Sequence, residues 1–227
     1  MTPPDRAGSI DPGLADQHHR ARRLPWLLLL GVVVCALPAQ SANPTLPDDV
    51  VGVLSPVDSV PTRAALDEVF APSLALDPLA AIASDDSHDL GIQQRAIRAL
   101  PTYCPQTAGT CGPGTTSHDT LVALIQRHGA AALPADILRL RAAAEALGAT
   151  RSGLPEDVDV LLTLLGDAEH KLPGHPSLDV RAAAARALGQ LCNRDAIDAL
   201  FPHLLDPAPQ VVAQVTAALQ MLELCPK

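Results

Sequence analysis

One stretch constrains the fold more than any other: Leu178-Asp-Val-Arg-Ala-Ala-Ala-Ala-Arg-Ala-Leu-Gly-Gln-Leu191. At 100° per residue, Val180, Ala184, Ala187, Leu188 and Leu191 fall on one arc, with Arg186 on the far side. Degenerate copies of this stretch recur along the chain. Leu100, Leu147, Leu188 and Leu219 share one column of the aligned copies. Ala99, Ala146, Ala187 and Ala218 share the column before it, and Ala96, Ala143, Ala184 and Val215 a third. One helix of this kind cannot bury its apolar face alone, so the periodicity predicts stacked helical units.

Composition agrees. Aromatic residues make up only 2% of the chain while 48% is hydrophobic. A core of Ala, Leu, Val and Ile suits close helix packing better than a sheet sandwich. The formal net charge is −9. An acidic chain with few stacking rings lacks the basic footprint of a nucleic-acid binder, and none is expected as partner.

The first 41 residues read as a targeting segment. His18-His-Arg-Ala-Arg-Arg23 precedes the apolar run Leu24–Leu37, and Ala39-Gln-Ser41 supplies a small-x-small end. A basic flank, a short apolar core and such an end make a secretory signal peptide with a polar leader, residues 1–41. The competing reading is an inner-membrane anchor through residues 24–37, but a helix needs about 20 apolar residues to span a bilayer. The expectation is therefore an exported protein, periplasmic or extracellular, touching membrane only through this segment if it is not cleaved. Without residues 1–41 the chain remains acidic.

Residues 42–73 contain Pro44, Pro47, Pro56, Pro61 and Pro72. They read as a Pro-rich linker with a short helix over Thr62–Phe70, and with Val50–Leu54 as an extended edge. Residues 74–227 then carry four helix pairs. The first helices are expected at Pro78–Ser84, Asp119–His128, Glu156–Leu165 and Asp195–Leu205. The second helices are expected at Gly91–Leu100, Ala135–Leu147, Asp179–Leu191 and Gln210–Leu222. Ser117 or His118-Asp119 and Asp195 read as caps, and Gly129, Gly148, Gly166 and Gly189 as stops. Pro202 should kink or split its helix.

The third pair carries a family resemblance. Leu161-Leu-Thr-Leu-Leu-Gly-Asp167 followed by Leu178-Asp-Val-Arg-Ala-Ala-Ala-Ala-Arg-Ala-Leu-Gly189 resembles a HEAT repeat of the bacterial HEAT-like type. The resemblance extends over roughly residues 75–225 and implies an all-α, right-handed α-solenoid of about four HEAT-like helix pairs. The Arg of the motif, Arg181, is replaced by Gln93, Leu140 and Val212 in the other copies, so an Asp–Arg ladder is expected only at the third. Such solenoids usually hold another protein and are not themselves enzymes. The resemblance thus implies a non-catalytic interaction or scaffold module with a protein partner. HEAT-like repeats also occur in bilin lyases, which keeps an enzyme-associated module as the alternative; export argues against it.

Beyond the signal the cysteines are Cys104, Cys111, Cys192 and Cys225. An even number in an exported chain favours disulfides, here 104–111 across one turn and 192–225 between successive helix ends. No C-x-x-C pair suggests zinc. His170 and His175 lie in an inserted loop with Glu169 and Asp167 and could hold a metal, although polar loops carry such residues by default. His88, His118, His128 and His203 sit at helix ends and read as solvated or as dipole partners. No phosphate loop, nucleophile elbow or H-E-x-x-H occurs, so no catalytic residue and no cofactor is expected. The outward columns of the second helices hold Gln94, Arg98, Arg141, Glu145 and Arg186. In HEAT-like solenoids these helices line the concave face. The five residues are either a ladder of surface ion pairs, worth about 0–1 kcal/mol each, or a mixed-charge binding strip. The ladder is the favoured reading, and the strip is the best candidate for a partner contact.

Overall fold

A computed structural model describes residues 45–56, 59–104, 111–129, 133–166 and 177–225. All regular structure among them is helical. Helices α1 (Asp48–Leu54) and α2 (Arg63–Phe70) precede four pairs: α3 (Leu76–Ser84) with α4 (Leu90–Ala99), and α5 (Thr116–His128) with α6 (Pro134–Ala149). Helix α7 (Pro155–Leu165) pairs with α8 (Leu178–Leu191), and α9 (Ala196–Leu200) with α10 (Pro209–Leu224). Within each pair the helices pack on one another, and the second helices α4, α6, α8 and α10 stack in sequence order as one layer. This is a helical solenoid, consistent with HEAT-like repeats.

Local chemistry explains most boundaries. Asp89 accepts from the Gly91 and Ile92 amides and caps α4, and the Ser177 hydroxyl accepts from the Val180 amide and caps α8. Proline opens α6, α7 and α10, where its missing N–H costs nothing. Pro202 does split the last first helix: α9 ends at Leu200, and a 3-10 turn, Phe201–Leu205, follows.

Four details differ from the sequence reading. Val50–Leu54 is helical, because the prolines bracket α1 instead of interrupting it, Asp48 and Asp49 favour its N-terminus, and Val50 and Leu54 are buried one turn apart. Asp119 does not cap α5; its carboxylate accepts from the Gly114 amide outside the helix. Asp195 makes no side-chain cap either, and its amide donates to Asn193. Of the four glycine stops, Gly166 has the left-handed geometry that favours glycine, with φ of 76°, whereas Gly148 and Gly189 lie inside α6 and α8.

Those two glycines are contact points. A Cβ on Gly148 would lie 2.5 Å from the Ala187 Cα, and one on Gly189 would lie 2.6 Å from the Ala218 Cα. The same Gly-on-Ala contact therefore joins the second and third repeats and the third and fourth. In the first repeat the equivalent position is Pro101, in a 3-10 turn over Leu100–Tyr103, and α4 approaches α6 less extensively.

The core is one continuous cluster running from Val50 in α1 to Leu222 in α10. Leu100, Leu147 and Leu188 are completely buried, as are Ala96, Ala143, Ala184 and Val215. Burying a Leu contributes about 1.5–3 kcal/mol, and these columns repeat that gain at every unit. Leu219 is only half-buried, because no later helix pair covers α10 among the described residues.

Candidate functional site: a cleft on the second-helix layer

Three of the five strip residues share one cleft. Arg98 of α4, Glu145 of α6 and Arg186 of α8 line a space of about 190 Å³, with Val60, Ala146, Ala149 and Gln190 completing its wall. Successive repeats bring these side chains together because they occupy one outward column of stacked helices. The Glu145 carboxylate is held from two sides: Arg98 Nη2 donates to Oε2 at 2.9 Å, and Arg141 Nε donates to Oε1 at 3.0 Å. The Arg98–Glu145 pair joins the first repeat to the second, as an ion-pair ladder requires. The ladder stops there. Arg186 is exposed and has no ion-pair partner among the described residues. Gln94 lies on α4, half-buried and outside the cleft wall.

A second cleft of about 430 Å³ continues from the first, sharing Ala149 and Gln190. Its wall adds Arg151, Gly189, Cys192, Met221, Leu224 and Cys225. Arg151 is exposed, with φ of 53°; Cys192, at the equivalent position one repeat later, has φ of 59°. A left-handed residue thus follows the ends of both α6 and α8, and each sets its side chain at the cleft. Leu224 is 86% exposed. The combined surface offers Arg98, Arg151 and Arg186 against a single carboxylate, Glu145, in a chain of net charge −9.

Cys192 and Cys225, on the rim of this surface, lie at disulfide distance with Cα atoms 5.5 Å apart. Cys104 and Cys111 do the same, with Cα atoms 5.1 Å apart. Such pairs are compatible with an oxidising, exported location. No described helix is long and apolar enough to cross a membrane.

The polar residues that sequence reasoning missed lie between the layers. His118, 5% exposed, faces Asp157 of the next repeat through Nε2 at 2.8 Å and Asp119 through Nδ1 at 3.1 Å. Ser152 donates to the other oxygen of Asp157. Burial opposes a charge on the ring, yet the hydrogen bonds and fields of Asp119 and Asp157 outweigh it and raise the His118 pKa. The Ser152 hydroxyl faces the carboxylate, not the ring, so the group clasps two repeats through Asp157. A second cluster forms around Arg139, which donates to Gln93 at 2.6 Å and to Asp136 at 2.8 Å. Gln93, fully buried, in turn donates to the Ala83 carbonyl and to Asp86. His128 is also buried, 3.2 Å from Asp136, and desolvation lowers its pKa against the fields of Asp86 and Asp136. His203 is buried as well. Three of the histidines read as solvated or as dipole partners are therefore interior; His118 and His128 lie where a helix end meets the neighbouring repeat.

Arg181 donates to the Leu165 carbonyl at 3.2 Å and pairs with Asp206 of the fourth repeat. Gln93 takes the same place in the first repeat, satisfying the end of the first helix through Ala83. In the second repeat the guanidinium comes from Arg139, one residue before the aligned Leu140. The Asp–Arg contact thus recurs beyond the third copy in altered form, with Arg139 3.4 Å from Asp86. No described group of three or more His, Cys, Asp or Glu side chains is arranged to hold a metal. His170 and His175, with Glu169 and Asp167, lie outside the described residues.

Comparison with known proteins agrees with this architecture. Residues 170–224 match the family model of HEAT repeats, the stretch that includes α8, α9 and α10. Among curated proteins, none matches the chain.

Proposed function

We infer, from a chain that carries HEAT repeats, a non-catalytic interaction module of the bacterial envelope or exterior that holds another protein along its second-helix layer. HEAT repeats generally mediate protein–protein interaction, and such families are typically scaffolds without chemistry of their own. The observation that carries the reading is the pair of adjoining clefts across α4, α6, α8 and α10, where arginines and exposed apolar side chains stand together. Charged and apolar groups on one stacked layer suit a partner chain laid across several repeats better than a small substrate. Export is supported by the signal-like residues 1–41 and by the two cysteine pairs at disulfide distance.

The test is co-purification from the envelope fraction of the native host with wild-type protein and with Ala149→Trp. Ala149 is exposed and borders both clefts, so the indole fills the surface without entering the core. A stoichiometric partner held by wild type and lost by Ala149→Trp is the expected result. A partner retained by the variant would overturn the reading.

A further inference from the structure

We propose that the cleft recognises an acidic, apolar segment of its protein partner, with a carboxylate seated against Arg186 and Arg98 and a neighbouring apolar side chain against Met221 and Leu224. This rests on the second-helix layer being the interaction face. The cleft already holds one carboxylate in the manner required: Glu145 is bridged by Arg98 and Arg141, one guanidinium to each oxygen. A guanidinium offers paired donors that match a carboxylate, and such charge-assisted bonds are stronger than neutral ones.

Two further cations are unspent. Arg186 shares the wall with that pair, and Arg151 stands on the adjoining wall; neither has an ion-pair partner among the described residues. In a chain of net charge −9 this is a local reversal of sign, and it selects for an acidic ligand while the rest of the surface repels one. The apolar half of the segment has its counterpart in the second cleft, where Leu224 and the half-buried Met221 flank Ala149. The first cleft, about 190 Å³, admits a side chain and not a folded domain. The ligand is accordingly an extended segment whose side chains enter one at a time.

The probe is a fluorescein-labelled peptide of alternating Glu and Leu between Gly-Ser ends, with Gln-for-Glu and Lys-for-Glu counterparts, read by anisotropy at low and moderate salt. The Glu peptide should bind about tenfold or more tightly than the Gln peptide, and added salt should weaken it. Arg186→Glu should lose the Glu peptide and accept the Lys peptide, with unchanged far-UV circular dichroism. Glu145→Gln removes the resident carboxylate and should tighten the Glu peptide about threefold. Binding of Glu and Gln peptides within about twofold, no binding of any peptide, or no effect of Arg186→Glu would overturn the acidic assignment. If those results came with loss of the native partner by Ala149→Trp, the interaction face would stand and only the ligand class would fall.

Discussion

Gly148 and Gly189 show how much a single missing methyl group decides. Alanine has the higher helix propensity by about 1 kcal/mol, so an exposed Gly→Ala change in a helix should stabilise. Gly52 of α1 has open space around its Cβ direction, and Gly52→Ala should raise stability by about 0.5–1 kcal/mol. At Gly148 and Gly189 the new Cβ meets the backbone of the next helix. Each substitution should instead cost about 1–3 kcal/mol of overpacking in urea unfolding, opposite in sign to Gly52→Ala. His118 and His128 make a second prediction. His118 binds its proton more tightly folded than unfolded, so its contribution is complete below about pH 6.5 and is lost as pH rises through the higher folded value. His128 is depressed, so it penalises folding as pH falls from about 6.5 toward its lower folded value. Urea midpoints from pH 5 to 8 should show this: His118→Gln removes the loss toward alkaline pH, and His128→Gln removes the loss toward acid. Slopes unchanged by either substitution would contradict the assignment.

At the scale of the helix, the sequence was legible wherever a rule repeated. The Ala and Leu columns placed all four second helices, and Pro202 placed the break after Leu200. What was not legible depended on neighbours in space. Gly189 looks like a stop because helices often end at glycine, but its position inside α8 is set by Ala218 of the next repeat. His118 looks solvated because it stands at a helix start, and only the approach of α7 brings Asp157 to its ring. Arg139 could not be aligned with Arg181 because it sits one residue earlier and reaches back to Asp86 of the preceding repeat, whereas Arg181 reaches forward to Asp206. Of the strip, Arg98, Glu145 and Arg186 converge as their shared column implies, whereas Gln94 does not. The ends of α8 and α10 give the prediction at this scale. A bridge between Cys192 and Cys225 closes a separation of 33 residues, for which chain entropy gives about 3–4 kcal/mol. Cys225→Ser should destabilise by about that amount under oxidising conditions and very little in reductant. Equal stability of variant and wild type in oxidant would mean that the bridge does not form.

Over the whole molecule, the core and the proposed interaction surface occupy different sides of the same helices. The inner columns of α4, α6, α8 and α10 build the continuous core, and the outer columns carry the arginines. Each repeat therefore adds both a layer of burial and a step of surface, which is how a solenoid presents an extended face without a deep pocket. The Arg98–Glu145–Arg141 group belongs to both sides: it ties two repeats together and fills part of the cleft. The central claim, that the partner lies on this layer, is tested most directly by a photo-crosslinking residue placed at Gln190 and, separately, at Thr163. Gln190 borders both clefts, and Thr163 is exposed on the first helix α7. Crosslinking in the native envelope should capture one protein from position 190 and none from position 163; capture of that protein from 163 alone would contradict the account.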